Sequence, residues 1–386
     1  MGVRGSVPFP DVQPSHTAIG TWSGGRFMRF GEPLSDDRLA ALVRPGDGID
    51  TVITADAYGA GEADTLLGRA LQGVPRESYS LVGAVGHDIY EGERRGAKGY
   101  PRFTDPGLRG PEGYAGYLRA ATERSLERVG ADAFDVLLLH NPDRIGYTSP
   151  DIWEGMAALR HDGLVHALGV APGPANGFTL DVIDCLERFG ELIDWAMVIL
   201  NPMEPWPGQL VLPAARRHGV KVICRVVDYG GLFWDDVRPA HSFAEQDHRL
   251  HRPSGWIESG LERLERMRPI AERHGLTPLQ LACAWDLAQE PVACVTPTLI
   301  EEPHSAKPIE SKRAELAGVP ARRVLSDAEV EELREMGDNT GSMALKGASP
   351  DFDGPEQPDR WPLDEELEDL AARWEIDPAR DLAHST

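Results

Sequence analysis

The chain reads as an alternation of short apolar runs with longer segments of helical spacing. The runs are TAIGTW (17–22), IDTVITA (49–55), YSLVGAV (79–85), FDVLLLH (134–140), VHALGVA (165–171), WAMVIL (195–200), KVICRVV (221–227) and VACVTPT (292–298). Between them lie segments whose apolar residues return at helical intervals, among them SDDRLAALVR, ADTLLGRAL, YLRAATERSLERV, LDVIDCLERF and IESGLERLERMRPIAERHG. Several of these close on glycine, a common helix C-terminal signal. Strands that are almost continuously Val, Ile and Leu are buried on both faces, as parallel strands covered by crossover helices are. The pattern predicts an α/β fold, a (β/α)8 TIM barrel over residues 1–325, with its active site at the C-terminal ends of the strands.

Two connections are too long to be simple linkers, 87–113 after the third strand and 229–255 after the seventh, and both are expected to act as lids over that site. Residues 326–386 form a C-terminal extension with a helix at SDAEVEELREMG, a Pro- and Asp-rich stretch at 349–362 and a last acidic helix. Its segment DNTGSMALKGASP is expected to fold back over the barrel mouth.

Composition narrows the classes of function. A chain of 386 residues that is 41% hydrophobic can bury a large core. It has no apolar run long enough for a membrane span, and its first residues lack the apolar core of a secretory signal, so a cytoplasmic location is expected. The formal charge of −23 argues against a nucleic-acid partner. Cys185, Cys224, Cys283 and Cys294 have no CxxC spacing and sit in apolar patterns, so they are read as reduced core thiols and no metal site is expected. The expected partner is a small-molecule substrate, with homo-oligomerisation left open.

Four stretches in order, DAYGAGEADTLLGRAL, SLERVGADAFDVLLLHNPD, RHGVKVICRVVDYGGLF and GLTPLQLACAWDLAQEPVACVTPT, resemble the aldo-keto reductases. The resemblance implies a barrel of that type and a tyrosine that protonates a substrate carbonyl, with lysine, aspartate and histidine around it and a nicotinamide cofactor delivering hydride. Tyr58 matches the tyrosine and His140 the histidine. Ile53 stands at the aspartate position and Ala84 at the lysine position. The two losses are consistent, because a buried carboxylate without its cation would be costly.

The cofactor side departs too. Ala171 and Pro172 stand where Ser-Asn is usual, Met197 lies near a usual glutamine, and Arg225-Val226-Val227-Asp228 replaces the aromatic-Ser-Pro-Leu turn. Glu301 and Glu302 fall where a 2′-phosphate would be unwelcome. Against this, the paired glycines of DYGGLF, with Gly231, and Arg249 in DHRLHRP are candidate cofactor contacts. No cofactor is certain, and NADP is left open.

The candidate catalytic residues are therefore Tyr58, His140 and His87, with Trp22, Asn201, Glu204, Arg225 and Asp228 as candidate substrate contacts. Arg225 and Asp228, three apart, are read either as mouth charges or as a salt bridge. With the lysine gone, the expected reaction is redox-neutral acid/base chemistry, an elimination, isomerisation or hydrolysis on a polar carbonyl- or sugar-like molecule. The alternatives are an NADP-dependent oxidoreductase acting on aldehydes or ketones, and a non-catalytic ligand-binding protein on a reductase scaffold.

Overall fold

All eight apolar runs form strands: β1 Ala18–Gly20, β2 Thr51–Ile53, β3 Ser80–Val85, β4 Phe134–His140, β5 Val165–Ala171, β6 Trp195–Ile199, β7 Lys221–Arg225 and β8 Val292–Thr296. The computed structural model describes residues 13–95, 99–173, 177–239, 241–303, 305, 307–340 and 345–382. The strands pair in parallel in sequence order, and a parallel bridge between Thr17 and Val295 brings β8 back to β1. The result is the expected (β/α)8 barrel. No helix among the described residues is long and apolar enough to cross a membrane.

Alternation along the strands separates two cores. Ala18, Ile53, Val82, Val136, Leu138, Trp195, Met197, Ile223 and Cys294 fill the lumen. The outward residues pack under the helices α1 Asp36–Val43, α2 Glu62–Leu71, α3 Tyr114–Val129, α4 Arg144–Thr148, α5 Pro150–His161, α6 Thr179–Phe189, α7 Leu212–Arg217, α8 Trp256–Arg273, α9 Pro278–Leu287 and α10 Ile309–Ala317. Local signals set the ends of these helices. Ser35 caps α1, Thr277 and Gln280 make a capping box on α9, and Gly130 ends α3 at a positive φ of 76°.

The extension is fastened to helices α6 and α8 and to the loops after β5 and β6. Its first helix, α11 Asp327–Met336, ends at Gly337, where a Cβ would lie 1.5 Å from the Pro202 carbonyl, so only glycine allows this approach. Asn339 then bonds both the N–H and the carbonyl of Trp206. Two short parallel strands follow, β9 Gly347–Ser349 and β10 Arg360–Pro362, and then α12 Glu365–Arg373. Residues 341–344 of the segment expected over the mouth lie outside the described residues. The part that follows packs on the loop after β5, with Leu345 against Gly177.

One buried carboxylate holds this part of the extension. Asp181 of α6 accepts from Trp361 Nε1 at 2.8 Å and from the Ala348 N–H at 3.2 Å. Desolvation pushes its pKa up to about 7, although both bonds pull it down. The folded state therefore keeps a proton that the unfolded chain, near pKa 4, releases. That contribution is full below about pH 4 and is lost as pH rises through about 7. Between pH 5 and 8 the wild type is expected to lose about 2–3 kcal/mol more unfolding free energy than Asp181→Asn. Denaturant unfolding of both at the two pH values checks this, and parallel pH dependences would refute it.

Candidate active site

The C-terminal end of the lumen carries an aromatic chain. Trp22 follows β1 and meets Tyr58 edge-on at 6.3 Å between ring centroids. Tyr58 meets His140 at 5.7 Å and 84°, and His140 meets His87 at 5.4 Å and 75°. His140 is the last residue of β4, and His87 follows β3. Gly86 lets the two strand ends close up, since a Cβ there would lie 2.1 Å from the His140 carbonyl. Beneath Tyr58, Ile53 and Ala84 are buried in the same lumen cluster, so the lumen below the phenol is apolar.

Electrostatics fixes the charge states. Desolvation pushes the Tyr58 phenol up to about 12, and the nearby Arg225 guanidinium pulls the other way. Desolvation holds His140 well below its ordinary range, helped by His87, Arg102 and Arg225, so its ring is neutral. Its Nδ1 is buried and has no hydrogen-bond partner among the described residues. His87 is pushed down to about 4, again chiefly by desolvation. Its Nδ1 lies 2.9 Å from the Tyr100 carbonyl and its Nε2 lies 2.9 Å from Asn141 Nδ2. Both nitrogens are thus engaged, so His87 reads as a fixed wall beside His140 and not as a free base.

Arg225 ends β7. Its Nη2 donates to the carbonyls of Pro172, at 3.3 Å, and Gly173, at 2.5 Å, after β5. Val226, β-branched, follows at a φ of 59°, a sparsely populated conformation that costs about 1–3 kcal/mol and turns the chain sharply. Because of that turn Arg225 and Asp228 do not pair, which settles the sequence alternative against a salt bridge.

The remaining candidates lie in two other groups. Asn201 Nδ2 donates to Glu204, and Glu204 also takes Arg252 at 3.4 Å. Asp228 accepts from the Thr298 N–H at 2.7 Å and the Gly231 N–H at 3.0 Å. Arg249 is clamped between Asp247 and Glu302, and Glu302 also lies 2.9 Å from His241. Gly231, at a φ of 100°, has this Glu302–Arg249 pair directly against it. The donors suited to a dinucleotide's phosphates are therefore held by the protein's own carboxylates. Of the candidate cofactor contacts, Gly231 and Arg249 therefore already have partners within the protein.

Two contributors had no sequence signal. Arg102 comes from the long loop after β3, which doubles back so that residue 102 bridges His87. Its Nε donates to the Asn141 carbonyl, and its charge reaches both histidines. Asn141, at a φ of 50°, orients His87. A cavity of about 580 Å³ lies elsewhere, beside Asp135 and His166. Its arginines Arg69, Arg76 and Arg128 are already bonded to Asp36, Asp135 and Asp64, and Tyr58 and His140 are not among its walls, so the strand-end group is the better candidate. Among the described residues no group of three or more His, Cys, Asp or Glu side chains is arranged to hold a metal ion.

Comparison with known proteins agrees with this architecture. The family model described as "Aldo/keto reductase family" matches residues 18–336. "Probable aldo-keto reductase 1" of Glycine max is 24% identical over 270 residues, covering 67% of this chain and 70% of its own length. "Aldo-keto reductase yakc [NADP(+)]" of Schizosaccharomyces pombe is 24% identical over 330 residues, covering 83% and 88%. Among solved structures, the glycerol dehydrogenase from Gluconobacter oxydans superposes with a TM-score of 0.65 at 23% identity, covering 86% of this chain and 93% of that one. An aldo/keto reductase from Klebsiella pneumoniae in complex with NADP and acetate gives 0.55 at 21%, covering 84% and 91%. The fold, the order of its strands and the family model over most of its length agree: the chain belongs to the aldo-keto reductase family.

Proposed function

We propose that this protein is an oxidoreductase interconverting a small polar carbonyl compound and its alcohol, with NADP as its cofactor. Family membership supports this, as do relatives whose names or bound ligands include NADP. The observation that carries it is the meeting of a protonated phenol, a neutral imidazole and a half-buried guanidinium at the strand ends. A carbonyl oxygen between Tyr58 and His140 takes the phenolic proton as negative charge builds on it. A phenol near 12 remains protonated through the physiological range yet is still a stronger acid than an alcohol. Arg225 stabilises the phenolate left behind, the part for which the resemblance expects a lysine.

NADPH, when bound, would supply the hydride in such a reaction. Because Asp228 and Glu302 hold the donors of the loops after β7 and β8, binding requires those loops to rearrange. That same observation favours a second reading, redox-neutral acid/base chemistry at Tyr58 and His140 with no dinucleotide.

Tryptophan-fluorescence titration with NADPH, followed by a screen of aldehydes, ketones and sugars, separates the two. Micromolar binding with NADPH consumption is expected, flat between about pH 6 and 9 because neither Tyr58 nor His140 changes charge there. Tyr58→Phe should lower turnover by about 10²–10⁴-fold. Saturable turnover of a substrate without any nicotinamide would establish the second reading instead.

A further inference from the structure

Arg225 is a half-buried cation with no counterion among the described residues. The fully buried cations elsewhere have carboxylates, Asp247 and Glu302 for Arg249 and Asp236 for Lys312, and the half-buried Arg252 and Arg109 have Glu204 and Asp88. Arg225 has two backbone carbonyls, both taken through Nη2, and no ion pair among the described residues. The neighbours that favour its charge are phenols, Tyr58 and Tyr147. Carbonyl dipoles offset the desolvation of a guanidinium only in part, and an arginine offers five N–H donors. Arg102 is a second cation near His140, and among the described residues it too has a backbone carbonyl, that of Asn141, and no ion pair. Because His87 and His140 are neutral, the guanidinium of Arg225 faces no charged histidine at this end of the lumen, while Asp143 and Asp359 act on Arg102 from its other neighbours.

The geometry points to an anion-binding site at the barrel mouth, in which Arg225, reinforced by Arg102, takes the carboxylate of a small oxo- or hydroxy-acid whose carbon–oxygen group lies at Tyr58 and His140. The placement of the carbon–oxygen group rests on the proposed carbonyl chemistry, but carboxylate binding needs neither cofactor nor turnover. A guanidinium suits a carboxylate through paired, charge-assisted hydrogen bonds, which a neutral amide of the same shape cannot reproduce.

The test is calorimetric titration of the full chain, at fixed ionic strength, with pyruvate and lactate, their amides and inorganic phosphate. The acids are expected to bind about tenfold or more tighter than the amides. Arg225→Met should remove that preference and Arg225→Lys should keep part of it. Equal affinity for acid and amide on the wild type would overturn the inference, with no variant needed. So would an unchanged preference in a folded Arg225→Met protein, or phosphate binding tighter than every carboxylate. Acid-selective binding in a protein that turns over no carbonyl with NADPH would keep this inference and remove the reductase reading; turnover of neutral carbonyls alone would do the reverse.

Discussion

Replacing Arg225 by methionine is expected to lower carbonyl turnover by about 10²–10³-fold, the usual cost of removing a preorganised electrostatic group from an active site. The reason lies beneath the phenol, where Ile53 and Ala84 supply only apolar surface. Desolvation already pushes Tyr58 to about 12, and Arg225 is the group that pulls it back. Without it, charge on the phenolic oxygen in the transition state is opposed by burial alone. The loss should fall mainly on kcat for neutral carbonyls, with KM rising as well for acids. Folding should not suffer, because deleting a desolvated cation that has only carbonyl partners is neutral or stabilising. A variant with wild-type kcat, beside an inactive Tyr58→Phe, would remove Arg225 from the chemistry.

The barrel was legible because parallel strands buried on both faces leave near-continuous runs of branched apolar residues, and each run predicted a strand at its place. Tyr58 and His140 were legible through the resemblance to the aldo-keto reductases, which also marked Ile53 and Ala84 as the positions of the missing aspartate and lysine; the barrel then sets these positions in the lumen and at its mouth. What escaped the sequence depends on turns and long-range pairing. Nothing in RVVD announces that Val226 adopts a positive φ and separates Arg225 from Asp228. Arg102 reaches the histidines only because its loop doubles back, a pairing across 15 residues without a local pattern. The extension's helices were readable from their caps and periodicity. Its two short strands were not, since Gly347–Ser349 and Arg360–Pro362 have neither alternation nor branched residues.

The glycine turn at 230–231 was legible as a turn, but its occupant was not, and the second large effect is expected there. Arg249 is 2% exposed; its Nε and Nη2 meet Asp247 at 2.9 and 2.8 Å, its Nη1 and Nη2 bond Glu302, and it lies over the Phe243 ring. Asp247 in turn accepts the Gly31 N–H at 2.8 Å. The cluster therefore ties the segment after β1 to the long loop after β7 and the segment after β8. Arg249→Met leaves two buried carboxylates without their cation and is expected to cost about 3–5 kcal/mol in urea unfolding. If the cost arises from those stranded charges, adding Asp247→Asn and Glu302→Gln should recover much of it, although the hydrogen bonds are not restored. A phosphate-binding arginine that is free in the cofactor-free protein would behave differently, with Arg249→Met weakening NADPH binding and leaving stability almost unchanged. Measuring unfolding and NADPH affinity on the same three proteins distinguishes a latch that holds the loops together from a ligand awaiting its phosphate.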